Sequence, residues 1–276
     1  MKNHIKIYLL SFFVLLVFST SCSLIDDVCK DGQGEVITQE RTISEFTALE
    51  SRGSFTVNIF QDTSIKTQTI TISAQENIID LIKTTVSGQS LIIDNNECYN
   101  TDEEVTITIR TPALSQISLT GSGDIFLQDI IRTSNIEFIV DGSGTIFSNS
   151  IIKATACTAN LKGSGNMELV FDTTNVVNAS IDGSGNITLI GKATENNLNI
   201  SGSGQINAFE LPVLTSTAEI IGSGIIELTA TESDSTINTS TATVDAQVSG
   251  SGTVRVKGNA GIRWNVSGSG KIERIE

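Results

Sequence analysis

The tripeptide Gly-Ser-Gly occurs eight times, starting at Gly121, Gly142, Gly163, Gly183, Gly202, Gly222, Gly250 and Gly268. Successive starts are 21, 21, 20, 19, 20, 28 and 18 residues apart. A unit recurring about every 20 residues marks a solenoid in which each repeat is one turn. Around each motif the apolar residues alternate. Ile117 and Leu119 precede the first copy, and Ile125 and Leu127 follow it on the same parity as Gly121 and Gly123. The same holds for Ile136, Phe138, Val140 and Ile146, for Val177, Ala179, Ile181, Ile187 and Leu189, and for Val244, Ala246, Val248, Val254 and Val256. Period two with β-branched residues predicts strands with one face buried. The chain is therefore expected to be all-β, a parallel β-helix with turns of about 20 residues. The hand of parallel crossovers makes it right-handed.

Both glycines of each motif fall on the inward parity. Either no side chain fits there, or the backbone bends through a conformation that only glycine adopts cheaply. A phosphate cradle would require a following helix N-terminus, and strands follow instead. The serines between the glycines are expected to stack from turn to turn as a hydroxyl ladder. The long interval places an insertion near Thr229–Thr241. Trp264 shares the parity of Val266 and Gly268 and is expected to face the core.

Upstream, Phe55-Val57-Ile59, Ile70-Ile72, Leu91-Ile93 and Val105-Ile107-Ile109 also alternate. Asn77–Thr85 has the spacing of one or two helical turns. No Pro/Gly linker separates this part from the repeats. The expected organisation is a leader at 1–21, a tether at 22–40 and one β-helical domain at 41–276. Within that domain the turns are longer and irregular over 41–115 and regular over 116–276. A separate small β domain upstream is the alternative.

The leader carries Lys2 and Lys6, a 12-residue apolar run from Ile7 to Phe18, and Ser19-Thr20-Ser21-Cys22. That run suits a signal peptide and is too short for a membrane-spanning helix. Small residues before a cysteine resemble a bacterial lipobox, with Cys22 the residue acylated after cleavage. Ser19 departs from the usual aliphatic residue. An ordinary signal peptide with Cys22 as a bystander is the alternative. Export permits disulfides, and three cysteines remain, so at least one is unpaired. Cys157 lies on the core parity. Cys29 and Cys98 lie in polar segments and are the candidate pair, closing a loop of about 70 residues worth ~4 kcal/mol on the loop-entropy model.

Composition narrows the function. There are 17 Lys and Arg against 31 Asp and Glu, and without Lys2 and Lys6 the balance is 15 to 31. So acidic a chain is not a nucleic-acid binder, nor one that adheres to anionic membrane by charge. The one histidine, His4, is in the leader. Ser-His-Asp and Cys-His catalysis and His-ligated metals are thereby excluded. No cofactor or metal is expected.

The ordered pattern from Glu45-Phe46-Thr47-Ala48-Leu49 through Gly53-Ser54-Phe55-Thr56-Val57-Asn58-Ile59, Ser90–Ile93 and Thr106–Leu114 to Ser118–Ile125, followed by the Gly-Ser-Gly body, resembles the auto-transporter adhesin head family, the GIN-domain proteins. The resemblance covers about residues 40–276. It implies an exported or lipid-anchored envelope protein of β-helical fold and transfers no catalytic or ligand residue. The expected function is a non-enzymatic lipoprotein of the outer membrane, at the cell surface, anchored in the membrane by its N-terminal lipid. It would present a surface for a glycan or protein, with the Thr229–Thr241 bulge a place for specificity. One rival is a polysaccharide-active enzyme. Its candidate carboxylates, Asp141 and Asp182, are two turns apart with Lys162 between them, or ~9.6 Å by strand spacing. That is the upper limit for an inverting pair and too far for a retaining one. Another rival is a structural protein facing the periplasm. Oligomeric state is not legible in the sequence.

Overall fold

The computed structural model describes residues 29–232 and 241–276. Cys22, the rest of the leader, and residues 233–240 of the expected bulge lie outside the described residues. Apart from one 3-10 turn at Ile79–Leu81, the regular structure described is strand. It forms an 11-stranded sheet, a 12-stranded sheet and a two-stranded ribbon.

The strands that end at each first glycine, such as Ile131–Gly142, Ile152–Gly163 and Thr174–Gly183, lie side by side in the 11-stranded sheet. The strands that begin just after each second glycine, such as Thr145–Ser148, Asn166–Val170 and Asn186–Ile190, lie side by side in the 12-stranded sheet. Both sets pair in parallel, the first with glycine opposite glycine, as in Gly142↔Gly163↔Gly183↔Gly202, and the second as in Thr145↔Asn166↔Asn186↔Gln205. The result is a β-helix-like solenoid in which each turn gives one strand to each sheet. The Gly-Ser-Gly forms the corner between them.

The two glycines answer different demands. The first adopts φ between +104° and +141° in all eight copies, a region that penalises any Cβ. The second lacks that φ but has no space. A Cβ on Gly185 would lie 2.3 Å from the Gly165 carbonyl oxygen and 2.6 Å from Leu161 Cδ2. The backbone itself ties corner to corner, as where the Ser184 amide donates to the Gly163 carbonyl at 2.9 Å. The serine side chains do not form the expected ladder. All are exposed, and the one hydroxyl pair in contact among the described residues is Ser54–Ser122, at 3.1 Å. Strand spacing of about 4.8 Å exceeds hydrogen-bond length, so stacked serine hydroxyls meet only where the two side chains lean toward each other, as Ser54 and Ser122 do. Longer amides do bridge it, as from Asn186 to Asn166 at 3.0 Å.

Inward residues build one continuous core, with Phe55, Val57, Ile59, Ile107, Ile109, Leu119, Phe138, Ile181 and Val248 all at most 2% exposed. One core column runs Cys157↔Val177↔Asn196↔Ser216↔Val244. Within it the Ser216 hydroxyl donates to Asn196 Oδ1 at 2.5 Å, and Asn196 Nδ2 has no partner. Burial pushes the Cys157 thiol far above its ordinary range. A folded-state value above the unfolded one means that this thiol stays protonated and unreactive until the chain opens. In a Cys22→Ser chain, a thiol reagent such as iodoacetamide should label nothing in the native state at pH 8 and one equivalent in guanidinium. Native-state labelling at the rate of a free thiol would contradict this packing.

The upstream part departs from a plain solenoid. The turn made by Ala48–Gly53 and Thr56–Gln61 lies between the Gln116–Gly121 turn and strands Ser90–Asn95 and Thr106–Thr111, so stacking order is not chain order. Beyond it the pairing turns antiparallel. Val36–Arg41 pairs with Thr69–Gln75, Thr69–Gln75 with Thr106–Thr111, and Ile82–Ser87 with Ser90–Asn95. The last pair is a hairpin turning at Gly88, φ +63°, the geometry of tight hairpins. The sheets run unbroken from this cap into the repeats. The expected tether also needs correcting, because Lys30–Asp31 and Val36–Arg41 are strands. The latter is exposed at nearly every residue, so it shows no alternation for a sequence reading to find. Cys29 and Cys98 are joined by a disulfide with Cα atoms 4.7 Å apart. Next to it Lys30–Asp31 runs parallel to Tyr99–Asn100.

At the other end Trp264 is 68% exposed rather than buried. It lies opposite Ala246, which is 1% exposed, so its parity is inward. Its strand Gly261–Gly268 is the last of its sheet among the described residues, however, and has a neighbour on one side alone. The insertion is also narrower than expected, since Thr229 and Ala230 belong to the buried strand Ile225–Ala230.

Candidate functional site

Because successive turns are in register, each outward position becomes a column across the sheet. On the 11-stranded sheet, the third residue before each first glycine gives Ile139↔Asn160↔Ser180↔Asn199↔Glu219. The residue just before that glycine gives Asp141↔Lys162↔Asp182↔Ser201↔Ile221. Short serines flanked by longer side chains leave an open groove of about 460 Å³ between these columns, running across the turns. Ile221 stands in it 55% exposed.

One end of the groove is internally bonded. Gln116 Nε2 donates to Glu137 at 2.8 Å, Asn160 Nδ2 to the same carboxylate at 3.1 Å, and the Ser180 hydroxyl to Asn160 Oδ1 at 2.7 Å. In the neighbouring column, and in this one past Ser180, the pattern changes. Among the described residues the side chains of Lys162, Asp182, Asn199, Ser201 and Glu219 make no hydrogen bond or ion pair, although all line the groove. The opposite sheet differs. There an amide relay runs from Asn149 to Gln128 at 2.9 Å and on to Asn58 at 2.6 Å. Arg255 bridges Glu227 at 2.8 Å and Glu273 at 3.1 Å. Those contacts hold the Arg255 guanidinium above its usual pKa, chiefly through Glu227, and the Glu273 carboxylate below its own, chiefly through Arg255.

The register places Lys162 between Asp141 and Asp182, two strand spacings apart, as the sequence indicates. Among the described residues no group of three or more His, Cys, Asp or Glu is placed to hold a metal ion. Cys29 and Cys98 are far from the groove and tie the N-terminal cap. Beside them a second, acidic pocket of about 490 Å³ is lined by Ser54, Asn95, Tyr99, Asp102 and Glu103, and burial raises the Tyr99 pKa. The sequence reading named Lys162 and Asp182 but not Asn160, Asn199 or Glu219. Aligning the repeats on the first glycine would have shown that column.

The regular turns, whose parallel strands stack in register on two sheets, define a β-helix-like solenoid with columns of outward side chains on each face. The chain belongs to the family described as "Putative auto-transporter adhesin, head GIN domain", whose model matches residues 45–260. Among solved structures it is similar to a "putative lipid binding protein" from Parabacteroides distasonis, at 26% identity and TM-score 0.80, over 89% of this chain and 99% of that one. It is also similar to a "putative adhesin" from Parabacteroides merdae, at 23% identity and TM-score 0.80, over 89% and 98% of the two chains. A second adhesin-like structure from Parabacteroides distasonis matches at 21% identity and TM-score 0.75, over 89% and 99%. The last two establish shared fold alone. Comparison with curated proteins yields no match. The family and these structures are described as adhesins or a lipid binding protein, not as enzymes.

Proposed function

We propose that this protein is a non-enzymatic, lipid-anchored adhesin of the bacterial outer membrane, its coil right-handed and displayed at the cell surface. Acylation at Cys22 supplies the anchor, since two or three acyl chains hold a protein firmly in a bilayer. The observation that carries the reading is the groove on the 11-stranded sheet, where unbonded polar side chains stand in register on a rigid face. Such side chains are free to exchange water for a ligand, while the packed turns beneath need no rearrangement. The interior is filled by side chains such as Phe138 and Leu161, so a lipid of the kind suggested by one similar structure would have to meet the outer surface.

The test is biotin labelling of intact cells, with a periplasmic protein as control and a Cys22→Ser variant alongside. The expected result is labelling of the wild-type chain with the control protected, and release of the variant from the membrane fraction. Protection of the wild type until the outer membrane is permeabilised would overturn the adhesin reading in favour of a periplasm-facing structural protein.

A further inference from the structure

We infer that the groove on the 11-stranded sheet binds an extended β-1,4-linked glycan, neutral or N-acetylated, lying along the stack with about one sugar residue per turn. The inference names the ligand of the site on which the proposed function rests. Three observations carry it.

The first is the distribution of unsatisfied polar groups. On the opposite sheet, chains of outward amides and charges bond to one another between turns, as in the Asn149–Gln128–Asn58 relay and the Glu227–Arg255–Glu273 bridge. In the groove, Lys162, Asp182, Asn199, Ser201 and Glu219 do not. Ammonium, carboxylate, amide and hydroxyl groups together match the paired donors and acceptors of vicinal sugar hydroxyls. The second is spacing. The columns repeat every strand spacing, about 4.8 Å, and a β-1,4-linked chain with equatorial linkages advances by nearly that distance per sugar while staying straight. An α-1,4-linked chain of the same sugars coils and leaves the face after one or two residues. The third is the character of the lining. Ile139 and Ile221 border the polar columns, and the exposed Ile221 side chain offers an apolar contact for a pyranose face or an acetamido methyl group. One lysine against Asp182 and Glu219 leaves the site with excess negative charge, which disfavours uronic-acid polymers.

The columns span five turns, from Ile139 to Glu219, so affinity should grow with chain length up to about five sugars. The experiment is calorimetric titration of the full-length Cys22→Ser chain with cello- and chito-oligosaccharides of two to six units, with maltohexaose as the coiled control. Affinity for one or both β-linked series should rise roughly tenfold between trimer and pentamer and level off at the hexamer, with no binding of maltohexaose. Asn199→Leu and Ser201→Leu should each weaken binding roughly tenfold without moving the melting temperature. Asn186→Ala, on the opposite sheet, should leave binding unchanged. No binding of either series, or equal binding of maltohexaose, would overturn the inference, as would an equal loss in Asn186→Ala. Surface labelling of intact cells reads the broader proposal independently. A chain that is labelled outside but takes none of these glycans would sink the glycan assignment and leave the adhesin reading standing.

Discussion

Gly183→Ala and Gly185→Ala should each lower the free energy of unfolding by about 3 kcal/mol, while Ser184→Ala between them changes it by less than about 0.5 kcal/mol. The reasons differ for the two glycines. Gly183 sits at φ +141°, where a Cβ costs about 1–2 kcal/mol, and that Cβ would also lie 2.2 Å from the Gly163 carbonyl oxygen. The same oxygen accepts the Ser184 amide at 2.9 Å, so the turn cannot back away without breaking the link between corners. Gly185 carries no such backbone strain. Its Cβ would meet the Gly165 oxygen at 2.3 Å and Leu161 Cδ2 at 2.6 Å. A leucine can change rotamer, but a carbonyl locked into the next turn cannot. Gly88→Ala separates the two effects, because Gly88 has φ +63° with nothing within 4 Å of its added Cβ. It should cost about 1 kcal/mol. Equilibrium denaturation in guanidinium measures all four variants. Equal losses at Gly88 and Gly185 would mean that crowding at the corner is not what selects glycine.

These corners are also why so much of the fold was legible in the sequence. A glycine pair on the inward parity, repeated eight times, fixes strand phase, turn length and the corner together, and the register follows glycine to glycine. The cap was not legible, because alternation is the same whether a strand's partner runs parallel or antiparallel. Ile70 and Ile72 announce a buried strand but not that Thr69–Gln75 runs against its neighbours. Val36–Arg41, exposed on both faces, left no pattern to read. Trp264 shows a second limit. Parity reports which way a side chain points, while burial needs a further turn to cover it, and none does so among the described residues. The groove lay between these cases. Lys162 and Asp182 were visible as a charge column, but that Asn199, Ser201 and Glu219 lack partners depends on side-chain placement. The serine ladder failed for the converse reason, since equal spacing does not bring short hydroxyls into contact.

Cys98→Ser should destabilise the N-terminal cap by about 4 kcal/mol and leave the regular turns nearly untouched. The disulfide spans a sequence separation of 69 residues, and that loop contains Val36–Arg41, Ala48–Gly53, Thr56–Gln61, Thr69–Gln75, Ile82–Ser87 and Ser90–Asn95. Cross-linking its ends removes loop-closure entropy from the open state of this unit. Beside the disulfide, the Lys30–Asp31 ribbon pairs two residues with two, with the bonds Lys30 N–Cys98 O at 3.0 Å and Gly32 N–Asn100 O at 2.7 Å, and Asp31 accepts from Asn100 Nδ2 at 3.3 Å and Asn77 Nδ2 at 2.8 Å. In a stacked repeat each turn contacts mainly its neighbours, so stability is local and openings spread from the ends. Losing the bond should therefore let the cap open while strands from Ile152–Gly163 onward hold. Hydrogen exchange reads this directly. Amides of Thr56–Gln61 should exchange about a thousandfold faster in Cys98→Ser or after reduction, while those of Ile152–Gly163 change little. Equal acceleration in both strands would show that cap and repeats open as one unit. Unchanged exchange in both would show that the packed cap, with Phe55, Ile59 and Ile107 in its core, holds itself without the bond.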